Sequence, residues 1–168
     1  MLGLPWSAVD WTNERLSITD TVVVVDHRPT LRIDETKTKS SRRVIALDST
    51  TMHALRAHRS RQAEEKLVAG EAYDDQGLVV AGKRGQIFPP DLFTRTVKRL
   101  AGEAGVTPLG PHAARHSFAT ISLSRGVGVK TVAERLGHAS VQTTWDRYGH
   151  MVEGQDRALA DLFAEAIE

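Results

Sequence analysis

The chain has 168 residues, of which 40% are apolar and 26% are charged, with a formal net charge of +1 and no cysteine. This length suffices for one domain with a hydrophobic core, and the composition is typical of a soluble globular protein. The lack of cysteine excludes disulfides and thiolate metal sites, and no apolar run is long enough to span a membrane. The first residues do not resemble a signal peptide, and we expect a cytoplasmic protein.

The first third of the chain predicts a small antiparallel sheet. Leu16–Asp26 is rich in valine, isoleucine and threonine, and Thr30–Ile33 and Arg43–Leu47 are shorter strand candidates. A polar, lysine-bearing loop over residues 34–41 joins the last two of these candidates. We therefore predict a three-stranded antiparallel meander in which this loop is one of the hairpins.

The rest of the chain predicts helices. Apolar residues recur at spacings of three and four, and glycines or prolines stand at the joins between segments. The predicted helices cover residues 49–69, 91–104, 113–125, 129–136, 141–148 and, in the tail, 154–168. Ser49 or Thr50 is the expected N-cap of the first helix. The predicted fold class is α+β and mainly helical, in a single domain over residues 1–168.

Charges are distributed unevenly along the chain. Residues 37–66 hold eight Lys or Arg against three acids, whereas residues 151–168 hold five acids against one Arg. A basic middle segment suggests a face that binds a polyanion, and the acidic tail suggests a segment that points elsewhere. A solvated charged surface explains the same distribution equally well.

His112 and Arg115 stand three residues apart at the start of a predicted helix and therefore share one of its faces. A helix N-terminus favours an anion, and the planar guanidinium of arginine donates two parallel hydrogen bonds to a phosphate. Histidine can exchange a proton near neutral pH. The pair suits an anion site, although a His-x-x-Arg pair taken alone is more often an ordinary feature of a helix surface.

Two further residues in the last third of the chain are candidates for chemistry. His138 follows a glycine that permits a tight turn, and Tyr148 lies ten residues later in a polar stretch that is unlike a core segment. A phenol, with an ordinary pKa near 10, attacks phosphorus well only when a base or nearby cations assist it. Four of the other five histidines are interpreted as structural or surface residues, and among them His116 is expected to face the core. They are His53, His58, His116 and His150.

Four ordered segments carry a resemblance to a known family. They are GLPWSAVDW (3–11), KTKSSRRVIAL (37–47), PHAARHSFAT (111–120) and LGHASVQTTWDRYGH (136–150). With these motifs the chain resembles, over about residues 2–151, the catalytic domain of the tyrosine recombinases, the phage integrase family. The resemblance implies the DNA breaking-rejoining fold, a helical domain with a small three-stranded sheet, and it implies site-specific recombination or integration of DNA.

The resemblance also implies roles for single residues. Tyr148 would cleave one DNA strand and form a 3′-phosphotyrosyl bond, while Arg115 would hold the non-bridging oxygens of the phosphate. His112 would act on the tyrosine proton and assist the reverse transfer. His138 would donate a hydrogen bond to the phosphate.

The hairpin segment would supply further contacts in a member of this family. Lys37 would be the general acid for the leaving 5′-oxygen, with Lys39 as the alternative, and Lys39, Arg42 and Arg43 would bind DNA. Such enzymes use neither a metal nor a nucleotide, and these histidines lack the nearby carboxylate cluster of a zinc site. The implied partners are double-stranded DNA and, for the full-length protein, three further copies in a tetramer on DNA. The protein itself is expected to associate with the nucleoid.

The chain departs from the family pattern at its start. Family members carry a second catalytic arginine in a Gly-Leu-Arg segment and, before it, a helical DNA-clamping domain, whereas GLPW begins here at residue 3. We therefore expect a partial chain that cleaves DNA poorly, because one lost donor to the transition state costs roughly 3–4 kcal/mol. The apolar stripe of the tail helix suits docking on a neighbouring copy or on its own domain.

Two other functions fit the same residues. A non-catalytic DNA-binding remnant would share the basic surface, and a covalent adduct at Tyr148 would distinguish the recombinase from it. A type IB topoisomerase-like enzyme would share the chemistry but would relax DNA without partner exchange. The short LGH…Y motif favours the recombinase over the topoisomerase.

Overall fold

The computed structural model describes residues 2–19, 21–25, 28–32, 42–106 and 110–149. Five strands and five α-helices lie within these ranges. The strands are β1 (Val9–Asp10), β2 (Arg15–Ile18), β3 (Thr21–Val25), β4 (Arg28–Arg32) and β5 (Arg43–Ala46), and the helices are α1 (Ser49–Ala69), α2 (Pro90–Glu103), α3 (Pro111–Ser124), α4 (Val129–Leu136) and α5 (Val141–Tyr148). The mainly helical α+β class expected from the sequence is confirmed.

The chain divides into two compact units, Met1–Pro108 and Leu109–Glu168. The first unit contains the described strands with α1 and α2, and the second contains α3, α4 and α5. The single domain over residues 1–168 stays a prediction, as does the tail helix over 154–168, which lies outside the described residues. In the described part of the chain, no helix is both long and apolar enough to cross a membrane.

The three-stranded sheet has the order β1-β2-β5, and both of its pairings are antiparallel. Leu16 of β2 lies opposite Val9 of β1 and opposite Ile45 of β5. These apolar side chains therefore share one face of the sheet, where cross-strand neighbours stabilise each other. A separate two-stranded hairpin is formed by β3 and β4.

The predicted three-stranded meander has the right number of strands and the wrong pairing. The strand expected over Leu16–Asp26 is two strands, because β2 ends at Ile18 and β3 begins at Thr21 in the other sheet. The last two predicted strands do not pair with each other, since β5 pairs with β2 in the register that sets Ile45 against Leu16. The third strand is β1, whose two residues are too few to show an alternating pattern.

The core of the first unit lies between the sheet and α1. Val9, Met52 and Val79 are buried in it. Partly buried apolar side chains pack around these three, and they are Leu4, Trp6, Trp11, Leu16, Leu47, Leu55 and Val80. The sheet and α1 are therefore held together by apolar contact.

Helix α1 has the predicted bounds but a different cap. Asp48, rather than Ser49 or Thr50, precedes the helix as its N-cap, and its carboxylate accepts bonds from the Thr51 backbone N–H at 2.9 Å and the Thr51 hydroxyl at 2.7 Å. These hydrogen bonds hold the pKa of Asp48 below its usual value. Asp48 is favoured as the N-cap because its two carboxylate oxygens accept both hydrogen bonds at once.

A short set of polar bonds fastens the segment around Leu78 to α1. The indole N–H of Trp6 donates to the side-chain oxygen of Gln62 at 2.6 Å, and the Gln62 amide donates to the Leu78 carbonyl at 3.1 Å. His58 Nε2 lies 2.7 Å from the Val79 carbonyl oxygen. His58 therefore satisfies a backbone group, in keeping with its interpretation as a structural residue.

The second unit is built around a core shared by three helices. Ala119 and Leu123 of α3, Val132 and Leu136 of α4, and Tyr148 of α5 are buried together. The bounds of α4 and α5 are those predicted, and α3 begins two residues earlier than predicted, at a proline. Proline suits the first position of a helix because the N–H that it lacks would have no partner there.

We expect Met52→Ala to lower the free energy of unfolding by about 2–5 kcal/mol, because truncating a buried side chain leaves a cavity. Met52 is 0% exposed, whereas Leu67 on the same helix is 82% exposed. The control Leu67→Ala should therefore change the free energy by no more than about 0.5 kcal/mol. Urea denaturation followed by circular dichroism measures both, and equal effects would contradict the assigned core.

Candidate active site around Tyr148

One face of α3 changes from apolar to polar along the helix. Ala119 and Leu123 are buried in the core of the second unit. The same face continues toward the start of the helix with His112, Arg115 and His116, which lie seven, four and three residues before Ala119, respectively. The face thus contributes to the core at one end and to a cleft at the other.

The cleft has a volume of about 760 Å³ and lies wholly within the second unit. It is lined by His112, Ala113, Arg115 and His116 of α3 and by Arg147 and Tyr148 of α5. Its two guanidinium groups make it positively charged, which favours an anionic ligand such as a phosphate group.

The end of α4 anchors Arg115. Its guanidinium donates a hydrogen bond to the backbone carbonyl of Leu136, where the last carbonyls of a helix have no intrahelical partner and carry partial negative charge. Partial burial lowers the pKa of Arg115, and Arg147 adds to this effect, yet a guanidinium stays charged at any physiological pH. Because it has five N–H donors, Arg115 can hold the carbonyl and still bind an anion.

His138 is positioned by the turn that ends α4. Gly137 has φ 69° and ψ 38°, in the left-handed region that glycine adopts without strain. The Gly137 N–H bonds to the Glu134 carbonyl and the His138 N–H bonds to the Ala133 carbonyl, both at 3.0 Å, which is a Schellman motif. The tight turn expected here is therefore present, and it brings His138 Nδ1 to 2.7 Å from the hydroxyl of the buried Thr144.

Tyr148 is only 2% exposed and packs in the core of the second unit. The expectation that this tyrosine lies outside the core is wrong. Helix α5 buries Thr144 and Tyr148, one turn apart, and leaves Val141 and Trp145 43% and 50% exposed. The polar pair occupies the inner face because each hydroxyl has a histidine as its hydrogen-bond partner.

The interpretation of His116 as a core-facing residue is also wrong. Its side chain is exposed to the cleft, and its Nδ1 lies 3.0 Å from the Tyr148 hydroxyl, with the two ring centroids 5.0 Å apart. His112 lines the same cleft one turn earlier. The position of His116, four residues after His112 and three before the small apolar Ala119, is the sequence signal that would have placed it on this face.

The remaining site residues predicted from the sequence lie elsewhere. Lys37 and Lys39 are outside the described residues, as is His150. Arg43 begins β5 and Arg42 precedes it, both in the first unit. Among the described residues, no cluster of three or more histidine, aspartate or glutamate side chains is arranged to hold a metal ion.

Comparison with known proteins agrees with this architecture. The model of the phage integrase family matches residues 1–154. The chain is 33% identical to a XerC-like tyrosine recombinase of Caldanaerobacter subterraneus, covering 97% of this chain and 45% of that protein. It is 27% identical to the ICEBs1 integrase of Bacillus subtilis, covering 99% and 45%. The chain therefore spans slightly less than half the length of these curated relatives.

Solved structures share the fold. The crystal structure of XerA recombinase superposes with a TM-score of 0.65 at 21% identity, covering 98% of this chain and 51% of that one. The Tn1549 transposon integrase in complex with a circular intermediate DNA gives a TM-score of 0.74 at 19% identity, covering 96% and 52%. The family resemblance drawn from the sequence motifs is confirmed.

We expect Gly137→Ala to lower the free energy of unfolding by about 1–2 kcal/mol, because the left-handed conformation strains any residue with a Cβ. Since His138 follows directly, its bond to Thr144 should weaken as well. Gly102→Ala, where the added methyl group in α2 meets nothing within 4 Å, is the control and should stabilise by about 0.5–1 kcal/mol. Thermal denaturation of both variants checks this, and a neutral Gly137→Ala would refute it.

Proposed function

Because the chain belongs to the phage integrase family, we propose that it is the catalytic part of a site-specific tyrosine recombinase. It would cleave and rejoin double-stranded DNA through a 3′-phosphotyrosyl intermediate. One observation carries the proposal, namely the cleft that brings the Tyr148 hydroxyl together with Arg115 and two histidines. The relatives named as recombinases and integrases support it, as does the complex of the Tn1549 integrase with DNA.

Tyr148 is the nucleophile in this proposal. Its phenolic oxygen forms a bond to phosphorus as the bond from phosphorus to the 5′-oxygen breaks, and that oxygen leaves as a hydroxyl after protonation. The phosphotyrosyl bond conserves the energy of the phosphodiester, so rejoining to a new 5′-hydroxyl needs no external fuel. Packing of the Tyr148 ring in the core limits the positions that its oxygen can take, which favours attack from one direction.

Arg115 stabilises the charge that builds on the non-bridging oxygens. Its bond to the Leu136 carbonyl fixes the guanidinium before DNA arrives, and a donor held in place in advance needs no reorganisation during the reaction. His138, oriented by Thr144 through Nδ1, would donate from Nε2 to the phosphate. His112 lines the cleft and, by the family resemblance, takes part in proton transfer at the tyrosine.

The proposal extends to residues beyond the cleft. Lys37, or Lys39 in its place, would protonate the leaving 5′-oxygen as general acid. Lys39, Arg42 and Arg43 would contact DNA, where arginine and lysine bind phosphates and make affinity dependent on salt. The full-length protein would assemble as a tetramer on DNA and act at the nucleoid.

A DNA-binding remnant without catalysis is the second candidate. The chain covers only 45% of the XerC-like relative, so the activity of that whole protein does not transfer to this chain alone. A type IB topoisomerase-like enzyme is the third candidate, since it would use the same nucleophile. Covalent chemistry distinguishes the first and third candidates from the second, and partner exchange distinguishes the first from the third.

We expect a covalent protein–DNA adduct that depends on Tyr148, because only the phenolic oxygen can form the phosphotyrosyl bond. The chain is tested alone and as a fusion in which the part of the XerC-like relative that precedes the matched region stands before Met1. Each form is incubated with supercoiled plasmid and with a pool of nicked duplexes of random central sequence. Adducts are read on a denaturing gel, and Tyr148→Phe is the matched control.

The alternatives predict other results in the same experiment. An adduct from the fusion and little from the chain alone would support recombinase chemistry that needs the segment supplied by the relative. Salt-dependent DNA binding without an adduct from either form would favour the DNA-binding remnant. Relaxation of the plasmid with no exchange between two labelled duplexes would favour the topoisomerase-like enzyme.

A further inference from the structure

The Tyr148 hydroxyl has a hydrogen-bond partner that the family resemblance does not assign to it. Among the described residues that partner is His116, whose Nδ1 lies 3.0 Å from the phenolic oxygen. We propose that His116, rather than His112, takes the proton of the Tyr148 hydroxyl during strand cleavage. The inference rests on the proposed function, because it assigns a role within that reaction.

The geometry of the pair suits a proton transfer. A general base must lie within hydrogen-bond reach of the proton that it takes, about 2.6–3.2 Å between heavy atoms, and the His116–Tyr148 distance lies in this range. His112 lines the same cleft, but its imidazole makes no hydrogen bond to a described residue. The contact therefore favours His116 as the acceptor.

The surroundings of the Tyr148 and His116 rings suit the proton donor and the proton acceptor, respectively. The Tyr148 ring is buried in the core, whereas His116 is exposed and can pass a proton on to water. The charged and titratable groups that face the pair in the cleft are His112 and Arg115 of α3 and Arg147 of α5. The two guanidinium groups stabilise the negative charge that develops on the phenolic oxygen as its proton leaves.

The proposed step balances in both directions. During cleavage the Tyr148 oxygen bonds to phosphorus, its proton passes to Nδ1 of His116, and the bond to the 5′-oxygen breaks. The leaving oxygen takes a proton from the general acid proposed above, Lys37 or Lys39. During rejoining the 5′-hydroxyl returns its proton to that lysine, and the departing phenolic oxygen takes its proton back from His116. His116 must therefore start as the tautomer with its proton on Nε2.

The contact itself is tested without DNA, on the chain as it is. Nitrogen-15 spectra of the histidine rings are compared between the wild type and Tyr148→Phe. The Nδ1 resonance of His116 should shift when the phenolic hydroxyl is removed, whereas the ring of His53, which is exposed on α1, should not. An unchanged His116 resonance would overturn the proposal, and this result is independent of any activity on DNA.

The role of the contact is tested by the rate of adduct formation in the fusion described above. His116→Ala should slow cleavage by about 10²–10⁴-fold, the range that a general base contributes. Added imidazole should restore part of the loss. His116→Gln can hold the phenolic hydroxyl but cannot take its proton, so it should remain slow while its circular dichroism matches the wild type.

Substrate and pH distinguish proton acceptance from protonation of the leaving group. A duplex with sulfur in place of the bridging 5′-oxygen has a leaving group that departs without a proton, so the His116→Ala defect should persist on it. The wild-type rate should fall toward acidic pH, because a protonated imidazole cannot take a proton, and His116→Ala should lose this limb of the pH profile. The proposal would be overturned if His112→Ala lost the same limb, or if His116→Gln cleaved DNA at the wild-type rate.

Failure of the inference and failure of the proposed function give different results. If the wild-type fusion forms no adduct, the proposed function fails, and the role of His116 in cleavage fails with it. If the wild-type fusion forms an adduct and the His116 variants cleave at the wild-type rate, only the inference fails.

Discussion

The site around Tyr148 depends on how the C-terminal end of α4 is satisfied. The last carbonyls of a helix have no intrahelical partners, and here they are bonded by the Arg115 guanidinium and by the backbone N–H groups of Gly137 and His138. The end of α4 therefore fixes Arg115 of α3 and places His138 against Thr144 of α5. The need to satisfy the last carbonyls of α4 therefore brings α3, α4 and α5 together, and the cationic cleft forms between α3 and α5.

The need for hydrogen-bond partners also constrains α5 and Tyr148, the proposed nucleophile. A buried hydroxyl without a hydrogen bond costs about 1–3 kcal/mol, so a helix with Thr144 and Tyr148 on its inner face is stable only if both find partners. His138 and His116 supply them. The histidines that suit the proposed reaction are thus also needed for the packing, and the Tyr148 ring is held because its face of α5 is the buried one.

Much of the fold could be predicted because helix patterns are local. The four apolar positions of α4 and its closing glycine lie within nine residues, and its bounds are those predicted. The pairing of the strands could not be predicted, because Leu16 can pair with several segments and the choice of Ile45 depends on the distant residues that form the core around Leu16. The buried face of α5 could not be predicted either, since the apolar Val141 and Trp145 of that helix are exposed to solvent.

The contact between His116 and Tyr148 contributes to stability as well as to the proposed reaction, and the two contributions can be separated. Removing His116 takes the hydrogen-bond partner from a hydroxyl at the edge of the core, whereas removing it in the Tyr148→Phe background takes nothing from that position. We therefore expect His116→Ala to lower the free energy of unfolding more in the wild type than in the Tyr148→Phe background, by about 0.5–1.5 kcal/mol. Denaturation of the four forms gives this coupling. Because a pair with no coupling would not hold the phenol in place, a value of zero would mean that core packing alone positions the Tyr148 oxygen.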